Sequence, residues 1–206
     1  MDRNQEVHMA RKRKADHESA ITDALSLFWH RGYNGASTRE LEEKTGLTRF
    51  TLQKTYGGKE NFFLATLDAY LDNAEAQHFP DPETCTVDDL ARWLEDIASP
   101  EKMPLVGDAG CLAFNSISQF DRTDTEINMR VERYLSSLEH RFVEILRRTQ
   151  ARGEVHLPLG PEASGKILIG LLLGLHTVMK ARTEDAFPQA YASAAADLVR
   201  SWKATG

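Results

Sequence analysis

Few residues of this chain have the types and spacing that catalysis requires. Residues 160–166, GPEASGK, match the spacing of a phosphate-binding loop. The next residue is Ile167, which has no hydroxyl group for a magnesium ion, and Pro161 removes a backbone N–H that such a loop would use. We therefore favour a capped helix start over nucleotide binding for this segment.

Other catalytic patterns are absent from the sequence. There is no HExxH, GxSxG or CxxC motif, and the seven histidines are scattered without the spacing of metal ligands. We predict a protein that is not an enzyme and that uses no metal and no cofactor.

The cysteines and the apolar segments indicate the cellular compartment of the protein. Cys85 and Cys111 are the two cysteines, and the N-terminus lacks the pattern of a signal peptide, which favours a reducing compartment over a disulfide scaffold. The most apolar run, residues 167–175, is shorter than the roughly 20 residues of a membrane span. We expect a cytoplasmic protein without a membrane partner.

The strongest signal for binding lies in residues 37–56. Ser37 and Glu40 have the spacing of a capping box, which starts a helix. Gly46 stands where a residue of positive φ would end that helix, and Thr48 can cap a second one. The sequence therefore predicts two short helices joined by a tight glycine turn.

The second of these helices has two chemically different faces. Leu52 and Tyr56 lie four residues apart and predict its inner face. The remaining residues form a polar, basic outer face without an acid: Thr48, Arg49, Thr51, Gln53, Lys54 and Thr55. This arrangement is the helix-turn-helix layout, in which the second helix enters the major groove of DNA.

With its flanking residues, this stretch resembles the TetR family of transcriptional regulators over about residues 17–64. The resemblance implies a homodimeric, ligand-responsive regulator, expected to be a repressor that leaves a palindromic operator when it binds a small molecule. The residues that carry it are FWHRGY at 28–33, Thr38, Leu41, Gly46, Thr48, Arg49, Thr51, Leu52, Tyr56 and GKE at 58–60.

Three residues depart from the family pattern. Glu42 stands where a small alanine is usual, Phe50 where a small residue is common, and Gln53 where a tyrosine usually contacts phosphate. Gln53 has the groups to bind adenine bidentately, and Phe50 can meet a thymine methyl. The predicted DNA-binding residues are Thr38, Arg39, Thr48, Arg49, Phe50, Thr51, Gln53, Lys54, Thr55, Tyr56 and Lys59.

Charge is distributed unevenly along the chain. The formal net charge is −6, but residues 1–60 carry 11 basic and 9 acidic side chains, a net of +2, which leaves −8 for the remainder. This asymmetry favours DNA binding through the N-terminal part alone. Residues 1–15, with the basic run Arg11–Lys14, are either an arm that follows DNA or a disordered solubilising tail.

The rest of the chain predicts helices only, so the expected fold is all-α with about nine helices. We predict a helix-turn-helix domain over residues 16–62 and a ligand-binding and dimerisation domain over residues 63–206. The last two helices contain Gly170 and Gly174 and an alanine-rich segment, so they can pair with their copies in a homodimer. An intrachain core is the alternative for these two helices.

A ligand pocket is expected among aromatic or polar residues that interrupt apolar helices. Each candidate is equally suited to a core position, and the negative charge of the domain indicates either a cationic ligand or a solvated surface. The candidates are Trp93, Phe114, Gln119, Tyr134, His140, His176 and Met179.

Cys111 supports a different mode of regulation. The sequence GCL at 110–112 followed by Asn115 resembles a subset of TetR regulators, some of which sense electrophiles through a cysteine. A helix N-terminus would lower the pKa of Cys111 and favour a thiolate, whereas the alternative is a buried structural thiol. A thiol-sensing repressor and a helical module that binds acidic proteins rather than DNA remain the alternative functions.

Overall fold

The computed structural model describes residues 3–77, 79–99, 101–102, 109–120, 124–181 and 186–204, with the side chains of 3–16 and 75–77 excluded. The side chains of the basic run at 11–14 therefore lie outside the described residues. Within the described part the structure is all-α, as predicted. The helices are α1 (Arg3–Gly35), α2 (Thr38–Thr45), α3 (Arg49–Tyr56), α4 (Lys59–Gln77), α5 (Val87–Ile97), α6 (Leu112–Ile117), α7 (Thr125–Ala151), α8 (Gly160–Lys180) and α9 (Phe187–Arg200).

Helices α1 and α3 pack against α4, and α2 packs against α1 and α3. Phe28 of α1 is fully buried, and its ring centroid lies 6.4 Å from that of Phe62 and 5.0 Å from that of Phe63. Leu41 of α2 and Leu52 of α3 are also buried in this core. Apolar burial of this kind, rather than helix propensity, holds two eight-residue helices in place.

Helix α1 changes direction at Gly32. This residue has φ 71° and ψ 172°, which are not helical values, and the helix resumes to end at Gly35. Gly32 therefore marks a kink within α1 rather than its end. The kink directs the backbone N–H of Tyr33 to Gln119 Oε1, at 2.6 Å. Helix α1 is thereby attached to the segment that follows α6.

The C-terminal helices form two packed pairs, α5 with α9 and α7 with α8. Thr86 and Asp89 form a capping box at the start of α5, which buries Leu90 and Leu94 and packs against α9. Helix α7 spans 27 residues and buries one side, as its apolar repeat predicts. Helices α4 and α6 pack against each other and lie between α1 and α7.

Helix α8 is the one described helix that is long and apolar enough to cross a membrane, with 21 residues and a mean hydropathy of 1.3. Its extent exceeds the nine-residue apolar run on which the sequence prediction relied. The helix packs against α7 and α9 and buries Leu168, Leu172 and Leu175. The core helix of a globular protein has these same properties.

The kink makes Gly32 sensitive to substitution. In Gly32→Ala, the new Cβ would lie 2.3 Å from Gln119 Oε1, and a residue other than glycine is strained at this φ. We expect a loss of roughly 2 kcal/mol in the free energy of unfolding, measured by urea titration at a constant protein concentration.

Gly35→Ala is the matched control for this variant. Its added Cβ would meet Arg31 Cβ at 3.6 Å, an ordinary contact, so we expect little change in the free energy of unfolding. Equal stabilities for the two variants would contradict the proposed role of the kink.

Candidate DNA-binding surface and its attachment to the C-terminal domain

Helix α2 begins and ends as predicted. The Ser37 hydroxyl accepts a hydrogen bond from the Glu40 N–H at 3.2 Å, and the Glu40 carboxylate accepts one from the Ser37 N–H at 2.8 Å. At the other end, Gly46 adopts φ 69°, and its N–H donates to the Glu42 carbonyl at 3.0 Å. These caps set the tight turn between α2 and α3.

Helix α3 is held at its start by two side chains. Thr48 Oγ1 accepts a hydrogen bond from the Thr51 N–H at 3.2 Å, which is the predicted N-cap. The Glu42 carboxylate accepts the N–H of Arg49. A residue that departs from the family pattern therefore joins α2 to the positive end of α3. Sequence reasoning noticed Glu42 but missed this contact.

The exposed face of α3 carries the predicted binding groups. Thr48 and Thr55 are exposed, whereas Thr51 is half-buried. The Phe50 side chain is 74% exposed, and Lys54 Nζ lies 6.0 Å from the centroid of its ring. No acidic side chain occurs within α3, and its outward long side chains are Arg49, Gln53 and Lys54.

Two of the predicted DNA-binding residues, Tyr56 and Lys59, are half-buried and contact aromatic rings. The Tyr56 ring lies 4.5 Å from the ring of Phe62, and its hydroxyl is 3.1 Å from His17 Nδ1. Lys59 Nζ lies 4.4 Å from the centroid of the Tyr33 ring, and partial burial lowers the pKa of Lys59. The structure thus places both residues against the core of the N-terminal domain.

The predicted residues on α2 lie beside this face. Thr38 is the first residue of α2 and is half-buried. Arg39 is exposed, and its Nε donates to Glu43 Oε1 at 2.8 Å, an ion pair between exposed side chains of one helix. Such a pair is weak in water and leaves the Arg39 guanidinium available to a phosphate.

Polar contacts join α1 to α6 and its flanking residues. The indole Nε1 of Trp29 donates to the Gly110 carbonyl at 2.7 Å in a buried bond. Beyond α6, Gln119 accepts from the Tyr33 N–H and donates through Nε2 to the Asn115 carbonyl at 3.1 Å. We call this set of contacts the α1–α6 junction. The sequence analysis missed Trp29, although a buried indole N–H requires an acceptor.

The structure contradicts the premise of a reactive Cys111. The thiol is completely buried and accepts a hydrogen bond from the Tyr70 hydroxyl at 3.3 Å. Burial raises the pKa of Cys111, whereas thiolate sensing was expected to use a lowered one. Burial also raises the pKa of Cys85, to about 12. Both residues are free, buried cysteines.

The ligand candidates separate into several groups. Phe114 joins α6 to the neighbouring helices, with its ring 5.9 Å from that of Tyr134 and 5.7 Å from that of His176. Met179 is buried one turn beyond His176 in α8. We call Phe114, Tyr134, His176 and Met179 the α6–α8 cluster. His176 Nδ1 is buried and has no hydrogen-bond partner among the described residues.

The other three candidates lie outside this cluster. The Trp93 ring packs 4.8 Å from Phe79 and 5.9 Å from Phe142, and Gln119 belongs to the α1–α6 junction. His140 is exposed on α7 and lies 4.0 Å from a Glu144 carboxylate oxygen. Cavities of about 580, 600 and 450 Å³ occur elsewhere, lined by residues other than the seven candidates.

Among the residues that the structure describes, no three His, Cys, Asp or Glu side chains form a group that could hold a metal ion.

Two capped helices, a glycine turn and an exposed basic face define a helix-turn-helix DNA-binding protein with a helical C-terminal domain. The family model described as "Bacterial regulatory proteins, tetR family" matches residues 20–66. The model described as "Tetracyclin repressor-like, C-terminal domain" matches residues 88–204. The chain belongs to the TetR family of DNA-binding transcriptional regulators, which confirms the resemblance and the prediction that it is not an enzyme.

Individual proteins are similar over most of the chain. The HTH-type transcriptional repressor ComR of Escherichia coli is 30% identical over 146 residues, which cover 68% of each chain. A TetR family regulator from Cytophaga hutchinsonii has the same fold, with a TM-score of 0.81 and 17% identity over 92% of this chain and 96% of that one. A cysteine mutant of the TetR family regulator CifR, in a complex with 26-bp operator DNA, also has this fold. Its TM-score is 0.73, with 22% identity over 90% of this chain and 95% of that one.

Burial of His176 predicts a dependence of stability on pH. Burial lowers its pKa from 6.5 to about 4, so the folded protein holds it neutral while the unfolded chain takes up a proton more readily. Its contribution to stability is therefore full above the unfolded pKa of 6.5 and is lost as the pH falls towards 4. Between pH 6.5 and 4, we expect the free energy of unfolding to fall by roughly 3 kcal/mol less in His176→Leu than in the wild-type protein, measured by urea unfolding.

His140→Gln is the control, because it removes an exposed imidazole. We expect its pH profile to follow that of the wild-type protein. A His176→Leu profile that is parallel to wild type across the same range would show that burial of His176 is not the cause.

Proposed function

We propose that the chain is a transcriptional repressor that binds a palindromic operator as a homodimer and leaves it when a small molecule binds the C-terminal domain. The observation that carries this proposal is the exposed face of α3, which presents Arg49, Gln53 and Lys54 without an acid on the same helix. The name of ComR supports repression as the sign of regulation. A cytoplasmic location accords with this role and with the two free thiols.

In this proposal α3 lies in the major groove of the operator. Its N-terminal residues approach the base edges, and Arg49 and Lys54 neutralise phosphates or bind bases. Thr48, Thr51 and Thr55 add hydroxyl groups, and Thr38 and Arg39 reach the backbone from α2. Lys59 and Tyr56 support this surface from behind through their contacts with Tyr33 and Phe62.

The proposed homodimer pairs α8 and α9 with their copies. Gly170 of α8 is exposed, and open space surrounds the position that a Cβ would take there. On α9, Ala194 is exposed and Leu198 is 43% exposed. Small and apolar side chains of this kind let helices approach closely. Two copies place two α3 helices about one helical turn of DNA apart, which explains the need for a palindrome.

The proposed ligand site is the α6–α8 cluster, where the Phe114 ring lies 5.7 Å from the ring of His176, whose Nδ1 has no hydrogen-bond partner among the described residues. Phe114 lies within α6, whose two ends carry the α1–α6 junction. A ligand that prefers a displaced α6 would shift α1 and change the separation of the two α3 helices. We accordingly propose that residues 16–62 bind DNA and residues 63–206 bind the ligand and dimerise, with residues 1–15 as a basic arm.

Arg49→Ala and Lys54→Ala test the DNA-binding face. We expect each variant to bind the duplex upstream of the protein's own gene about tenfold more weakly, measured by gel shift across a salt series. Loss of a phosphate contact should also lower the slope of log affinity against log salt by about one. Loss of a base contact should instead relax specificity at one position.

Lys102→Ala is the matched control, because it removes an exposed lysine that follows α5 and belongs neither to α3 nor to the proposed dimer helices α8 and α9. Its affinity for DNA should equal that of the wild-type protein. Undiminished operator binding by both α3 variants would refute the assignment of α3 as the DNA-binding helix.

A further inference from the structure

Phe50 is exposed in a way that sets it apart within the N-terminal domain. Its side chain is 74% exposed, and it is the only large apolar side chain that is mostly exposed among the described side chains of residues 17–74. Phenylalanine usually contributes a large buried area, on the order of 150–250 Å². In the described structure most of the apolar area of this ring is therefore still available to a binding partner.

The charge around Phe50 indicates what covers it. Lys54 Nζ lies 6.0 Å from the ring centroid, Arg49 precedes it, and α3 contains no acidic side chain. Bringing an uncharged apolar surface onto Phe50 would remove the neighbouring cations from water at a cost. A polyanion with an apolar group within reach would satisfy both the ring and the cations.

The position of Phe50 on its helix narrows the choice further. It is the second residue of α3, in the turn that approaches the base edges when such a helix lies in the major groove. Gln53, one turn along the same face, donates an amide N–H to the Gly57 carbonyl at 3.2 Å. Gln53 is thus held towards the C-terminal end of α3, while Phe50 occupies its N-terminal turn.

Thymine supplies the apolar group that this position requires. Its C5-methyl group is the apolar feature that a base pair presents in the major groove, and apolar side chains including Phe contact it. We infer that Phe50 contacts the C5-methyl group of a thymine in each operator half-site, and so selects thymine at that position. This inference rests on the proposed function, because it requires α3 to lie in the major groove.

The test begins with selection of tight-binding duplexes from a random pool by the full-length protein. Each thymine of the selected duplex is then replaced in turn by deoxyuridine, which removes the methyl group and leaves the hydrogen-bonding groups unchanged. We expect one position in each half-site at which deoxyuridine weakens binding about fourfold, as befits one buried methyl group.

Protein variants then assign this methyl effect to Phe50. In Phe50→Ala, deoxyuridine at the same position should cost nothing further, because the ring that contacts the methyl group is gone. Phe50→Leu retains an apolar side chain and should retain part of the effect. Binding is measured at low salt, so that the weaker Phe50→Ala complex is still quantifiable.

Met129→Ala is the matched control, because it removes an apolar side chain of α7 that is 60% exposed. It should keep both the affinity and the deoxyuridine effect of the wild-type protein. A deoxyuridine effect of equal size in wild type and Phe50→Ala, or no effect at any thymine, would overturn the inference while leaving DNA binding intact. A pool that yields no bound duplex would overturn the proposed function and this inference together.

Discussion

The buried hydrogen bond between the Trp29 indole and the Gly110 carbonyl is the interaction on which the arrangement of the two domains depends. An indole N–H without an acceptor in the protein interior would cost about 1–3 kcal/mol, so α1 is held at one position against the start of α6. Gly110 has φ 68°, and a Cβ there would lie 2.6 Å from the His176 carbonyl oxygen. A glycine is therefore required for the segment before α6 to touch both α1 and α8.

The other end of α6 is attached to α1 as well. Gln119 accepts a hydrogen bond from the Tyr33 N–H, which the kink at Gly32 leaves free. Between these two attachments, Phe114 contacts His176 of α8 and Tyr134 of α7. In the proposed function, a ligand at the α6–α8 cluster acts on α1 through both ends of one short helix. Packed elements of this kind change between discrete arrangements rather than deforming gradually.

Local signals made the DNA-binding element predictable. The capping box at Ser37, the glycine turn at Gly46 and the cap at Thr48 are each read from residues within four positions of one another. Apolar spacing likewise predicted that the rest of the chain forms helices. The family pattern identified the N-terminal domain as that of a TetR regulator. The chain matches the family models of both the N-terminal and the C-terminal domain, which agrees with this identification.

Contacts between distant residues were not predictable in the same way. The pairing of Trp29 with Gly110 and of Tyr33 with Gln119 spans more than 80 positions of sequence. The sequence left open whether Cys111 is a reactive thiolate or a buried structural thiol, because it shows a helix start but not the burial that raises the pKa of this thiol. The sequence predicted His140 and His176 alike as ligand-binding candidates, whereas the fold exposes His140 and buries His176.

The affinity of Gln119→Ala for the selected operator duplex tests the central claim most directly, because Gln119 lies at the α1–α6 junction and not on α3. If the junction holds the two α3 helices at the spacing that the operator requires, its loss should weaken operator binding about tenfold and leave the salt slope unchanged. Gln150→Ala, which alters an exposed glutamine of α7, should bind as the wild-type protein does. Wild-type affinity in a folded Gln119→Ala variant would contradict the account.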